Sequence, residues 1–172
     1  MTPFERDWGI SGGTSLKVFE TALGRIAIAV CYDSEFPLLV RAQAEAGAQI
    51  VLVPSCTEFL SGYARVRAAA IARALENTCV TVLSPTVGDA PWSPAVDRNA
   101  GAAGVYVPAD HGFSETGILA EGPLSQPQWV YAEVDLARLQ RIRETGEMRN
   151  SADWPLQPGA APLVDKVEVV AL

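Results

Sequence analysis

Lysine and histidine are nearly missing from this sequence: Lys17 and Lys166 are its two lysines, and His111 is its one histidine. Cysteine is scarce too, at Cys31, Cys56 and Cys79. A four-ligand zinc site would need carboxylates to complete it, and no Cys-x-x-Cys pair occurs, so neither a metal nor another cofactor is expected. The odd cysteine count fits reduced thiols in a cytoplasm. The longest apolar runs are strand-sized, far below the ~20 residues that cross a bilayer, so no membrane span is expected. Residues 1–8 lack the basic stretch and apolar run of a secretory leader. Positive charge is in deficit, with Lys+Arg 13 against Asp+Glu 20 and a net charge of −7. No Lys/Arg cluster reverses that locally, which excludes a phosphate backbone, and hence nucleic acid, as partner.

What is present is a chain of 172 residues, 49% hydrophobic and 19% charged, enough for one globular domain with a sizeable core. Short apolar runs alternate with helical patterns. Leu16 to Glu20 reads as a strand. Gly24 to Cys31 reads as a buried strand, Leu38 to Ala46 as a helix opened by Pro37 and closed by Gly47, and Gln49 to Pro54 as a second buried strand. Strand, helix and strand in so few residues form a βαβ unit with parallel neighbours. Gly62 to Asn77 reads as the longest helix, with Tyr63, Val66, Ala70, Ala74 and Asn77 on one stripe and Arg65, Arg67 and Arg73 mostly off it, as surface salt-bridge formers. Val80 to Leu83, Gly101 to Val107 and Trp129 to Val134 read as further strands. Asp135 caps a helix running through Arg143. Val164 to Val170 is expected as an edge strand or a partner contact, within a tail over 156–172. Trp92, Trp129 and Trp154 read as core or interface anchors. Residues 1–15 read as a long loop leading into the middle of a sheet, which implies a further segment upstream.

The chemistry concentrates at Cys31. It ends a strand and precedes Tyr-Asp-Ser-Glu-Phe-Pro and a helix, and open α/β sheets place their sites at the C-terminal ends of parallel strands. A turn there aims free main-chain N–H groups at whatever the side chain attacks, which suits a thiolate nucleophile backed by an oxyanion donor. The alternative is a buried packing thiol, the common fate of cysteine. Cys56 and Cys79 read as packing thiols. A Cys31–His111 pair of the papain kind and a Cys31–Cys56 redox pair are further alternatives.

The run GRIAIAVCYDSEFP resembles the nucleophile motif of the nitrilase superfamily, the carbon–nitrogen hydrolases. So do VPSCT (Val53 to Thr57), ARALEN (Ala72 to Asn77) and Ser84 to Tyr106, and the likeness runs over about 2–155, a carbon–nitrogen hydrolase domain placed at 1–155. The resemblance implies an α/β fold of the α-β-β-α sandwich type, present here as its C-terminal half, which dimerises through helices. It implies hydrolysis of a non-peptide C–N bond in a small linear amide or carbamoyl substrate through a thioester. Cys31 matches the nucleophile and Tyr32 the residue whose main-chain N–H completes the oxyanion hole. Glu5 resembles a second, supporting Glu, and Ser55, Cys56 and Thr57 match the strand-end loop that lines the pocket.

Two departures bear on activity. The family's general-base Glu and its Lys lie upstream of the matching segment, and neither Lys17 nor Lys166 has the family context. Leu38 stands where the family often has Glu. Loss of a base typically costs about 10²–10⁴-fold and loss of one oxyanion donor about 10²–10³-fold. The expectation is a chain nearly inactive by itself, completed by residues elsewhere, with a non-catalytic remnant that binds partners as the alternative.

Overall fold

Runs rich in β-branched residues, each ended by glycine, proline or a short turn, set the strands. The computed structural model describes residues 2–157 and 167–171. In chain order the elements are α1 (Pro3–Asp7), β1 (Leu16–Thr21), β2 (Gly24–Ile28), a 3-10 turn (Cys31–Glu35), α2 (Pro37–Glu45), β3 (Ile50–Ser55), α3 (Leu60–Asn77), β4 (Val80–Pro85), the small ribbon β5 (Gly88–Asp89) and β6 (Arg98–Asn99), β7 (Gly104–Tyr106), β8 (Ile118–Glu121), α4 (Leu136–Thr145), α5 (Asn150–Asp153) and β9 (Val167–Ala171). The main sheet has seven strands in the order β8-β7-β4-β3-β2-β1-β9. β2, β3 and β4 are parallel neighbours, as the βαβ pattern requires.

Local chemistry accounts for the helix ends. Pro37 opens α2, where its missing N–H costs nothing, and Gly47 leaves it at φ 99. Thr78 ends α3 in a left-handed cap, its N–H donating to the Ala74 and Leu75 carbonyls. Asp135 caps α4 by accepting from the Arg138 N–H at 2.9 Å.

Strand register decides which side chains are buried together. Val18, Ala27, Val51, Thr81 and Tyr106 stand in one row across β1, β2, β3, β4 and β7, all at 0% exposure. This face packs against Val40 of α2 and Tyr63, Val66, Ala70 and Ala74 of α3. The other face carries the rows Phe19–Ile26–Ile50–Val80 and Ile28–Leu52–Val82–Val105. Leu136 and Leu139 of α4 pack there with Ile50, Val80, Val82 and Val105. Toward β1 and β2 that face is open: Phe19, Ile26 and Leu52 are half-buried, and Ile28 is 43% exposed.

Several expectations are corrected. Trp129 to Val134 forms no strand, because no ladder partner takes up its main-chain groups, and β8 pairs with β7 instead. Trp92 and Trp129 stay outside the core at 81% and 83% exposure. Trp154 is half-buried, its indole N–H donating to the Glu76 carbonyl at 2.8 Å with the Arg41 guanidinium 4.2 Å from the ring centroid. The opening loop contains the short helix α1. Arg73 does not lie on the surface of α3 but is buried. Within the described residues the expected C-terminal strand is β9, which pairs parallel with β1; residues 164–166 lie outside them.

A polar lock closes the β7–β8 edge. Arg67 of α3 donates twice to the Glu121 carboxylate, at 2.5 and 2.9 Å, and the Tyr106 hydroxyl donates to the same carboxylate at 2.7 Å. The Arg67 hydrogen bonds hold the Glu121 carboxyl below its ordinary value despite partial burial. A carboxyl lowered in the folded state stabilises above its unfolded pKa, and that contribution vanishes as pH falls through the folded value. Glu121→Gln should therefore cost about 1–3 kcal/mol at pH 7, and the difference from the parent should shrink below the ordinary carboxylate range, as read by denaturant melts at both pH values. Gly104 sits against the buried Tyr106 ring, and a Cβ there would collide with its hydroxyl and ring carbons. Gly104→Ala should lower the urea midpoint by about 1–3 kcal/mol of stability with an unchanged slope.

Candidate active site

The site is built where β2 runs out. Ala29 still donates to the Leu52 carbonyl of β3 at 2.9 Å, Val30 is extended, and Cys31 then takes φ 45. Cys31 is therefore not the last strand residue, as the apolar run implied, but the first residue of the 3-10 turn. A branchless glycine adopts a left-handed backbone freely; a cysteine there costs about 1–3 kcal/mol and persists only where its surroundings over-determine it. The turn supplies those surroundings. Asp33 donates its N–H to the Val30 carbonyl at 2.8 Å, and the Ser34 hydroxyl donates to the Cys31 carbonyl at 2.6 Å.

The thiol of Cys31 is half-buried, its Sγ 3.7 Å from the Cys56 carbonyl oxygen at the end of β3. Burial pushes this thiol above its ordinary value, and main-chain hydrogen bonding from Cys56 and Tyr32 pulls the other way. The charges of Cys56 and Glu35 add to the upward push. Glu35, which sequence reasoning passed over, pairs at 3.4 Å with Arg65 of α3. The Tyr32 ring meets Phe36 edge-on at 4.9 Å between centroids.

The strand-end loop divides three ways. Ser55 is buried, and its hydroxyl has no hydrogen-bond partner among the described residues. Cys56 is exposed beside Cys31 and donates to Asn99 Oδ1 at 3.0 Å. Thr57 is buried and donates to the Ala100 carbonyl at 2.7 Å. Asn99 is a hub with no signal in the sequence beyond a polar residue in a Gly/Pro/Asp-rich connection. Its Oδ1 also accepts from the Thr86 hydroxyl at 2.7 Å, and its amide donates to the Gly88 and Val96 carbonyls at 3.1 and 2.8 Å.

Other candidates are not joined to Cys31 among the described residues. The Glu5 carboxylate accepts from the Thr2 N–H and hydroxyl, and the Thr2 N–H bond leads in holding it below its ordinary value. His111 lies 3.4 Å from Glu147, and Lys17 lies 3.6 Å from Glu168 of β9. Cys79 is fully buried, its thiol pushed up to about 12 by burial. Among the described residues no group of three or more His, Cys, Asp or Glu is placed to hold a metal ion, and no helix is long and apolar enough to cross a membrane.

Cys31 lines neither of two surface cavities. One, of about 470 Å³, lies at the opposite ends of β2 and β3, among Gly24, Arg25, Gln49 and Arg143; the other, of about 540 Å³, surrounds His111 and Arg138. Cys31 packs instead against the buried cluster formed with α2 and α3.

Comparison with known proteins agrees with this geometry. Residues 1–144 match the carbon-nitrogen hydrolase family. A Bacillus subtilis (strain 168) protein described as "Probable hydrolase YhcX" is 44% identical over 154 residues, which are 89% of this chain and 30% of that protein. The crystal structure of Saccharomyces cerevisiae Nit3, a member of branch 10 of the nitrilase superfamily, superposes with TM-score 0.67 at 24% identity, over 82% of this chain and 48% of that one. A mutant amidase from Nesterenkonia sp. AN1, with the acetamide moiety of fluoroacetamide added covalently at its active-site cysteine, superposes with TM-score 0.64 at 27% identity, over 84% and 51%. The chain thus spans about half or less of the length of these relatives. With its motifs and the match over residues 1–144 in agreement, the chain belongs to the carbon–nitrogen hydrolase family.

Proposed function

We propose that the protein serves in hydrolysis of the C–N bond of a small linear amide or carbamoyl compound, with Cys31 as nucleophile. The observation that carries the reading is the left-handed backbone of Cys31 at a strand-to-turn junction, with a half-buried sulfur and main-chain groups beside it. Such strain is retained where geometry serves chemistry. The sulfur adds to the carbonyl carbon, and the Tyr32 N–H meets the resulting oxyanion. The C–N bond then breaks, the amine leaves with a proton, and a thioester remains. Water adds to the thioester and releases the acid and the thiol. Cys56 and Thr57, with Ser55 behind them, form the wall of the substrate site, and Glu5 takes the supporting role that its motif implies.

The general base and the oxyanion lysine come from chain beyond these residues, in a second sheet that packs on Phe19, Ile26, Ile28 and Leu52. Two observations support this. The open apolar face has the composition of a sheet–sheet interface. The thiol is pushed upward rather than downward, because no cation among the groups acting on it offsets burial. A second reading, a non-catalytic module that associates through the open face, draws on that same exposed apolar surface.

Two measurements test the proposal. Alkylation of Cys31 by iodoacetamide, followed by peptide mass against pH, should show a midpoint above the ordinary thiol value of about 8.5 in this chain. A midpoint near neutrality would mean that the activating groups are already present. Ammonia release from simple linear amides should be at least about 10⁴-fold slower for this chain than for a longer product read from upstream in-frame sequence, and Cys31→Ala should abolish the longer product's turnover. Enzyme-like turnover by this chain alone would overturn the incompleteness. A longer product that fluoroacetamide inactivates without modifying Cys31 would overturn the nucleophile.

A further inference from the structure

The helix layer reaches the Cys31 turn through one buried cation. Arg73 lies in ARALEN on α3 at 7% exposure, and Ser34 is wholly buried beneath the turn. The Arg73 Nη1 donates to the Ser34 carbonyl at 3.3 Å, a contact between residues 39 apart in sequence. The Ser34 hydroxyl donates in turn to the Cys31 carbonyl at 2.6 Å. We infer that Arg73 is a positioning residue for the nucleophile: through Ser34 it holds the left-handed backbone of Cys31, and so the direction of Sγ and of the Tyr32 N–H. This rests on the reading of Cys31 as nucleophile.

A simple i,i+3 salt bridge does not account for Arg73. Its Nη2 donates to Glu76 Oε1 at 3.2 Å, while its Nε lies 3.0 Å from Glu76 Oε2 without an aligned hydrogen bond. A pair of that kind is worth little at a surface, and burying a guanidinium for it would cost more than it returns. The contact to Ser34 supplies what the pair alone lacks, a reason for the cation to be inside. Glu76 is closed off on its other side, where its carbonyl accepts from the Trp154 indole under Arg41. Released from Ser34, the Cys31 backbone relaxes to an ordinary basin, and that rotation carries both the sulfur and the next amide away from a shared target.

The charged and titratable groups around this thiol are Glu35 on the turn, Cys56 beyond β3, and Arg65, Arg73 and Glu76 on α3. Cys31 reports on the turn and Cys56 on the neighbouring loop; the fully buried Cys79, whose thiol donates to the Arg73 carbonyl at 3.5 Å, reports on global opening in Ser34→Ala, where Arg73 is unchanged.

The test is alkylation of each cysteine against pH in Arg73→Gln, Arg73→Lys, Ser34→Ala and the Gln/Ala double variant, with backbone hydrogen exchange over residues 30–36. In Arg73→Gln and Ser34→Ala the Cys31 midpoint should fall toward the ordinary thiol value by about half a pH unit or more as the turn opens. Cys56 should keep its labelling rate at fixed pH, and in Ser34→Ala Cys79 should keep its protection. Arg73→Lys should recover part of the parental midpoint, the double variant should go no further than the larger single effect, and exchange over 30–36 should quicken. An unmoved Cys31 midpoint in folded Arg73→Gln and Ser34→Ala, or Cys31 and Cys79 changing together in Ser34→Ala, overturns the inference. If Arg73→Gln fails to fold, Ser34→Ala decides alone. If the parent's Cys31 already titrates like a free thiol, the nucleophile environment proposed above fails, and exchange over 30–36 still decides whether Arg73 and Ser34 hold the turn.

Discussion

The left-handed backbone at Cys31 is held from both sides, by the Val30–Asp33 hydrogen bond within the turn and by the Ser34 hydroxyl from below. Holding a non-glycine residue there costs about 1–3 kcal/mol, so the neighbouring packing must be rigid enough to resist relaxation. That rigidity comes from α3, whose Ala70 and Ala74 let the helix sit close on the row Val18–Ala27–Val51–Thr81–Tyr106. The strand-end loop depends on the same frame, since Cys56 and Thr57 are tied by Asn99 and Ala100 to the segment beyond β4. The loop beside the thiol is thus held by the Cys56 and Thr57 side chains and by the Ala100 N–H donating to the Thr57 carbonyl at 2.8 Å.

The two faces of the sheet have different fates. One is sealed by α2 and α3, and alternation along each strand sends Val18, Ala27, Val51, Thr81 and Tyr106 there. The other is covered by α4 at the β4–β7 side and left open toward β1 and β2. Cys31 packs on the sealed side and lines neither of the two cavities described, which lie at the opposite ends of β2 and β3 and around His111 and Arg138. The Cys31 thiol is pushed up first by burial and then by the acidic groups Cys56 and Glu35, against main-chain hydrogen bonds from Cys56 and Tyr32, and no cation is among those causes.

Much of this was legible in the amino-acid order. Parallel β2, β3 and β4, the helix after Pro37, the buried stripe of α3 and the Asp135 cap follow from hydrophobic period and capping chemistry, which act over a few residues. The motif around Cys31 was legible as a carbon–nitrogen hydrolase segment for the same reason. What the order could not contain is contact between distant segments. Arg73 reads as a surface charge until Ser34, 39 residues away, turns it inward. Asn99 is one polar residue in a loop until Cys56 and Thr86 share its oxygen. Trp129 to Val134 has a strand's composition but no ladder partner, and strands exist only in pairs. Local sequence determined the elements and marked Cys31 as the candidate for chemistry, because propensity and patterning are short-range. The tertiary structure alone decided that Cys31 lies past its strand in a left-handed turn, and which charges surround it, because those depend on packing between residues far apart in the chain.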